Sequence, residues 1–133
     1  MIAFEIPAES VPFARAGSNG SRRFTPAPQA AFMRAVGLYA SRAMAGAAPL
    51  TGPVKVCIRA TYEWPTSWSA KRRAGARWKD TKPDADNAAK LLCDAMNKIV
   101  YADDAQISSL TVQKVYGEAA RVVVSVQSLE VAP

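Results

Sequence analysis

The stretch Val54-Lys55-Val56-Cys57-Ile58-Arg59-Ala60-Thr61-Tyr62 alternates two sets of side chains along its whole length. One set is apolar and consists of Val54, Val56, Ile58, Ala60 and Tyr62. Successive side chains of a β-strand point to opposite faces of a sheet. The alternation therefore predicts a strand over residues 53–62 with one face against the core.

Helical periodicity appears on both sides of this strand. In residues 85–99 apolar side chains recur at helical spacing, at Ala88, Leu91, Leu92, Ala95, Met96 and Ile99. This pattern predicts a helix with a core-facing stripe. Another helix is expected to begin near Pro28, because proline suits a first helical turn. Its predicted stripe is Phe32, Val36, Tyr39 and Ala43.

The other segments complete the predicted element order. Residues 2–6 alternate like a half-buried strand, and residues 105–116 and 120–128 resemble two strands joined near Gly117, which favours a hairpin. Two polar segments, 8–27 and 65–82, are expected to be loops. The order β-α-β-α-β-β predicts a small α/β (α+β) domain over 1–133, with a mixed β-sheet and about two main helices.

The composition is that of a soluble globular protein. Of the 133 residues, 50% are hydrophobic and 21% are charged, which is compatible with one buried core. No apolar run approaches the length of a membrane span, and the amino terminus does not resemble a secretory signal. Cys57 and Cys93 form no disulfide framework. We therefore expect a cytoplasmic protein with no membrane association.

The chain contains no histidine, which narrows the chemistry. Ser-His-Asp and Cys-His catalytic systems are excluded, as are zinc sites with histidine ligands. Two cysteines are too few for a four-thiolate zinc site. A metal would have to be bound by oxygen, which favours Mg²⁺, with Mn²⁺ as the alternative.

Acidic residues are concentrated in one motif of this basic chain, whose net charge is +6. The motif is Lys82-Pro83-Asp84-Ala85-Asp86-Asn87, followed by Lys90 and by Asp103-Asp104. If Asp104 returns beside Asp84 and Asp86, the three carboxylates repel one another unless a cation lies between them. A divalent metal there would suit phosphodiester hydrolysis, with Lys90 stabilising charge on the phosphate.

Each of these residues also has a simpler interpretation. Aspartates at a helix start act as N-caps and interact with the helix dipole. Lys90 lies four residues after Asp86, a spacing at which the two form an ordinary ion pair on a helix. Asp94 is expected to be solvated or to support the site, and Asp103 to form a turn.

Basic residues fill both predicted loops and would bind phosphates without reading sequence. The candidate DNA-binding residues are Arg15, Arg22, Arg23, Lys71, Arg72, Arg73, Arg77, Lys79 and Lys82. Trp68 and Trp78 lie among them and either stack on exposed bases or pack in a core or a dimer interface.

With these residues in view, the chain resembles the RusA family of Holliday-junction resolvases, which are common in prophages. The resemblance rests on Lys-Pro-Asp-Ala-Asp-Asn at 82–87, Lys90, Asp94 and Val-Tyr-Ala-Asp-Asp-Ala-Gln-Ile at 100–107. It implies that Asp84, Asp86 and Asp104 bind the catalytic metal and that Lys90 is essential. It also implies a homodimer that nicks four-way junctions symmetrically in DNA recombination and repair, with no small-molecule cofactor.

The long tryptophan-rich segment 64–80 departs from the compact members of that family. The departure leaves the substrate preference open, including a broader range of branched DNA. Two other interpretations remain. One is a nucleic-acid-binding module without catalysis, and the other is a phosphatase or glycosyltransferase with an Asp-x-Asp motif. The latter classes place that motif after an apolar strand, whereas Lys82-Pro83 precede it here.

Overall fold

A computed structural model describes residues 1–13, 17–19, 22–24 and 27–129, with the backbone alone at 17–19 and 22–24. The strands are β1 (Ile2–Ile6), β2 (Gly17–Asn19), β3 (Arg22–Phe24), β4 (Val54–Glu63), β5 (Ile107–Gly117) and β6 (Arg121–Ser128). The helices are α1 (Ala27–Met44), α2 (Ala70–Gly75) and α3 (Ala85–Ala95), with a short 3₁₀ helix at Asp104–Gln106.

The main sheet has four strands in the order β1-β6-β4-β5. β4 pairs with β5 in parallel and with β6 in antiparallel orientation, so the sheet is mixed, as predicted. The predicted hairpin between β5 and β6 is wrong, because β4 lies between the two strands. Strands two positions apart in a sheet are separated by about 9.6 Å, a distance that the short link 118–120 spans.

The core lies between one face of this sheet and the helices α1 and α3. All five apolar residues of the predicted β4 face are buried, and so are Val122, Val124 and Val126 of β6. From α3 the core receives Leu91 and Leu92. The buried row of α1 is Phe32, Val36, Ala40 and Met44, which is slightly rotated from the predicted stripe.

Two predicted loops contain secondary structure, and one predicted helix ends earlier than expected. The segment 8–27 contains the β2–β3 pair, and the connecting residues Gly20-Ser21 are a hairpin signal in the sequence that the loop prediction overlooked. The segment 65–82 contains α2, which Ser69 caps by accepting from the Arg72 amide at 3.2 Å. Finally, α3 ends at Ala95 rather than near residue 99. Lys98 has a φ of 68°, which lies outside the right-handed helical region, so the helix does not extend through it.

Among the described residues, no helix combines the length and the apolar character that crossing a bilayer requires.

Candidate active site

Helix α3 presents three charged side chains in one row. Asp86, Lys90 and Asp94 follow one another at intervals of four residues, and a helix aligns residues at that spacing. Neighbouring faces of α3 carry the buried residues Ala88 and Leu92. Burial of the apolar side therefore fixes the direction in which the charged row points.

This row lines a pocket of about 460 Å³ between α3 and the start of β5. The pocket contains three carboxylates, one ammonium group and two serine side chains. Its lining residues are Asp86, Ala89, Lys90, Cys93, Asp94, Asp104, Ile107, Ser108, Ser109 and Leu110. The structure thus brings Asp86, Lys90 and Asp104 to one pocket, together with Asp94.

Two anchors, one on each side of it in the sequence, position Asp104 opposite α3. The Tyr101 hydroxyl donates to the Cys93 carbonyl at 2.7 Å, which fixes the chain after α3 to the helix itself. Gln106 then donates from Nε2 to the carbonyls of Leu50 and Gly52, at 3.0 and 2.9 Å. Because Asp104 lies between these two anchors, its approach to α3 is built into the fold.

Asp103 has a different role from its neighbour. Its Oδ1 accepts from the Ala105 amide at 3.2 Å, and its own amide donates to Oε1 of Gln106 at 3.0 Å. These bonds cap the 3₁₀ helix. Asp103 is therefore a turn former, as its sequence position indicated.

The carboxylates in the pocket influence one another. A hydrogen-bonding contact with Asp94 raises the pKa of Asp104, and partial burial and Asp103 act in the same direction. Burial raises the pKa of the Cys93 thiol to about 11, so this pocket residue is a neutral thiol at pH 7. Neighbouring carboxylates raise one another's pKa unless an opposite charge lies close to them.

Lys90 does not form the expected ion pair with Asp86. The ion pairs of the described residues are Lys82–Asp84 and Arg121–Glu5. Instead, Nζ of Lys90 lies 4.0 Å from the centre of the Phe13 ring. The Phe13 amide donates to the Asn87 carbonyl at 3.1 Å, which holds the ring against α3. No carboxylate of the described residues pairs with Lys90, so its ammonium group is available to an anion.

Asp84 occupies the N-cap position of α3, but its side chain makes no capping hydrogen bond. It accepts from Nζ of Lys82 at 3.1 Å and lines a second pocket with Phe13 and Asn87. Within the described part of the chain, no three acidic or sulfur side chains form a complete metal site. The structure therefore does not bring Asp84 into the pocket of Asp86 and Asp104.

Over residues 7–127 the sequence matches the family of the endodeoxyribonuclease RusA. The chain belongs to the RusA family. It is also similar to a protein of Bacillus subtilis (strain 168) named uncharacterized protein YqaN, with 36% identity over 86 residues. That match covers 60% of this chain and 61% of the relative, so the chain spans less than two thirds of the relative's length.

The basic residues predicted to bind DNA have different surroundings in this RusA-family fold. Lys71 is exposed and makes no hydrogen bond, ion pair or ring contact with the described part of the chain. Arg73 instead donates to the carbonyls of Pro65 and Thr66. Lys79 donates to Thr81 at 2.8 Å. Arg73 and Lys79 therefore help to hold their own segment together.

The remaining basic candidates are exposed or lie outside the description. Arg72 lies over the Trp68 ring, Arg77 lies near the Trp78 ring, and Lys82 pairs with Asp84. Arg15 lies outside the described residues. Arg22 and Arg23 belong to β3, where the description covers the backbone alone.

Sequence reasoning missed two residues that hold the RusA-type motif in place. Gln106 belongs to the Asp-Asp-Ala-Gln element, but the sequence does not show that its partners are backbone carbonyls of the loop 50–52. Lys114 of β5 donates to the carbonyls of Thr81 and Pro83, at 2.7 and 2.6 Å. These carbonyls belong to residues just before Asp84, so Lys114 fixes the entry into α3. A lone lysine in a strand gave no signal of this role.

Proposed function

We propose that the chain is a metal-dependent endonuclease that resolves four-way DNA junctions by paired, symmetric phosphodiester hydrolysis, in DNA recombination and repair. One observation carries the proposal: in a chain of the RusA family, a pocket unites Asp86, Asp94 and Asp104 with Lys90. Such a grouping of acids and one cation suits hydrolysis of a phosphodiester.

The donor atoms of this pocket are of the kind that a hard divalent cation prefers, although the described side chains do not already form a complete metal site. Its carboxylates supply oxygen ligands, which favours Mg²⁺ or Mn²⁺. We assign metal binding to Asp86 and Asp104, with Asp94 beside Asp104 as a further oxygen donor. When bound, the metal supplies charge stabilisation and a more acidic water.

Asp84 retains a proposed role as a metal ligand that depends on the substrate. Its present partner, Lys82, is an exposed lysine of the kind that binds a DNA phosphate. A DNA phosphate that bound Lys82 would break the ion pair between Lys82 and Asp84. The carboxylate of Asp84, two residues before Asp86 in the sequence, would then be free to bind the metal. Substrate binding and completion of the ligand set would then be linked.

Lys90 is proposed to neutralise negative charge on the scissile phosphate. It lines the same pocket as the three acids and has no carboxylate partner among the described residues. The Phe13 ring limits the directions in which its ammonium group can point. A positioned cation stabilises a transition state because it requires little rearrangement during the reaction.

The partners follow from the reaction. Paired nicks require two active sites, and a two-fold homodimer would present them to two strands of a junction with near two-fold symmetry. Lys71, Arg72, Arg77 and Lys82 provide exposed positive charge for its backbone.

The proposal is tested by incubating the protein with a synthetic four-way junction and Mg²⁺. Asp86→Asn should lower the cleavage rate about 100-fold or more while junction binding is retained. Glu118→Gln is the matched control, because it removes one exposed negative charge outside the pocket and should cleave normally. A linear duplex of the same sequence serves as the substrate control.

The pattern of products separates the alternatives. Symmetric nicks confined to the junction support a resolvase, whereas equal cutting of linear duplex indicates a general nuclease. Binding without cleavage under both Mg²⁺ and Mn²⁺ would instead indicate a non-catalytic DNA-binding module. Comparing Asp84→Asn with Asp94→Asn shows which of these acids the reaction needs.

A further inference from the structure

Residues 64–80, the tryptophan segment, have a small core of their own. Tyr62 of β4 and Tyr116 of β5 are buried together, and Trp64, Trp68 and Ala76 pack against them. The Trp68 ring lies 5.2 Å from the Tyr116 ring, and Trp64 donates from Nε1 to the Ala76 carbonyl at 3.1 Å. The segment is therefore fixed against the sheet rather than loosely attached to it.

Trp78 differs from the other two tryptophans. Its side chain is 57% exposed, and it is the only aromatic residue among the exposed large hydrophobic residues of the described chain. Its backbone bridges to Val115 of β5, while the neighbouring Lys79 amide donates to the Lys114 carbonyl. The backbone thus holds residue 78 at the sheet edge.

The segment that carries Trp78 is positively charged. Exposed Lys71, Arg72 and Arg77 belong to the same segment, and Arg77 lies 5.6 Å from the centre of the indole ring. Asp80 is the only acidic residue of the segment. An exposed aromatic ring among cationic side chains combines a stacking surface for a base with charge for the backbone.

The position of Trp78 also relates it to the candidate active site. It bridges to residue 115 of β5, whereas the pocket reaches residues 107–110 of the same strand. Positions 110 and 115 are five residue steps apart along the strand, a distance of about 17 Å. That distance corresponds to roughly five base steps of DNA.

We propose that Trp78 stacks on an unpaired base of branched DNA, a few nucleotides from the strand held at the pocket. This inference rests on the proposed function and adds that the preferred substrate exposes bases beside the branch. Trp68 is excluded from such a role, because its ring is committed to Tyr116 and to Arg72 at 3.9 Å. Stacking of this kind tolerates any base sequence, since every base has a π-face.

The test measures DNA binding without cleavage. Asp86→Asn protein in EDTA is titrated with a fully paired duplex and with the same duplex ending in a fork of unpaired thymines. Adding Trp78→Ala should weaken binding to the fork about 5- to 150-fold. Binding to the paired duplex should change less than about twofold, and Trp78→Phe should restore most of the loss.

Leu38→Ala is the matched control, because Leu38 is similarly exposed but lies on α1. Equal weakening of fork and duplex, or no weakening of either, would overturn the proposal. A change in oligomeric state of Trp78→Ala, measured by sedimentation, would also overturn it, since the ring would then pack against a second copy. Because the assay needs neither metal nor cleavage, a failure of the proposed nuclease activity leaves its result interpretable.

Discussion

Gln106 should be among the most sensitive polar residues of the fold. Its side-chain oxygen accepts from the amides of Ala102 and Asp103, at 2.9 and 3.0 Å. Its nitrogen donates to the carbonyls of Leu50 and Gly52. All these bonds are lost together in Gln106→Ala, which leaves two amides and two carbonyls without this partner.

The magnitude follows from those bonds. A net hydrogen bond contributes about 0.5–1.5 kcal/mol, and some of the released groups are exposed enough to bind water. We therefore expect Gln106→Ala to lower the free energy of unfolding by about 2–4 kcal/mol. For a chain of this size the melting temperature should fall by roughly 6–15 °C. Gln106→Glu should also destabilise, because a carboxylate would face the carbonyls of Leu50 and Gly52.

The assay is urea unfolding followed by circular dichroism, with Gln127→Ala as the control. Gln127 is exposed on β6 and makes no side-chain hydrogen bond within the described residues, so its loss should cost less than about 0.5 kcal/mol. Equal stability of the two variants would refute the role of the four bonds. If Gln106→Ala is destabilised but cleaves junctions at the full rate below its transition, Gln106 does not position Asp104.

Two further predictions concern the surroundings of the pocket. Lys114→Met should lower the free energy of unfolding by about 1–3 kcal/mol and should slow cleavage, because it releases the carbonyls of Thr81 and Pro83. Unchanged urea unfolding together with an unchanged cleavage rate would contradict this prediction. Phe13→Leu should slow cleavage about 2- to 5-fold in single-turnover assays, because an exposed cation–π contact contributes about 0.5–1 kcal/mol. Junction affinity should stay nearly unchanged, and Phe13→Tyr should keep the cleavage rate. A loss of junction affinity as large as the loss of rate would contradict the prediction.

The elements that sequence reasoning predicted well are those with a strong hydrophobic period. All of the predicted β4 face is buried, and so are Ala88, Leu91, Leu92 and Met96 of the predicted α3 stripe, because a hydrophobic period arises where one face of an element is buried. Ala95 and Ile99 are partly buried. The same pattern does not report which strands are neighbours. β5 and β6 are both strands, as predicted, yet both pair with β4, so the predicted hairpin failed on topology rather than on strand identity.

Polar residues with several distant partners were beyond the reach of local patterns. Gln106 bonds to backbone more than 50 residues earlier in the chain. Nothing in its own neighbourhood indicates that contact. The tryptophan segment is a second case. Its composition predicted a loop and left open whether its tryptophans pack, whereas Tyr62 and Tyr116, far apart in sequence, give it a core. Both cases depend on long-range contacts, which a local pattern does not encode.

The contrast between Asp84 and Asp94 shows how helical register alters a motif. Asp84 and Asp86 are adjacent members of Asp-x-Asp, but Asp84 is the extended N-cap residue and Asp86 is inside the helix. Residues two apart at a helix start do not share a face, whereas residues eight apart do. Asp94 therefore shares the pocket with Asp86, and Asp84 does not. The proposed role of Asp84 as a metal ligand therefore requires a change at the start of α3, and a DNA phosphate that binds Lys82 would be one cause of that change.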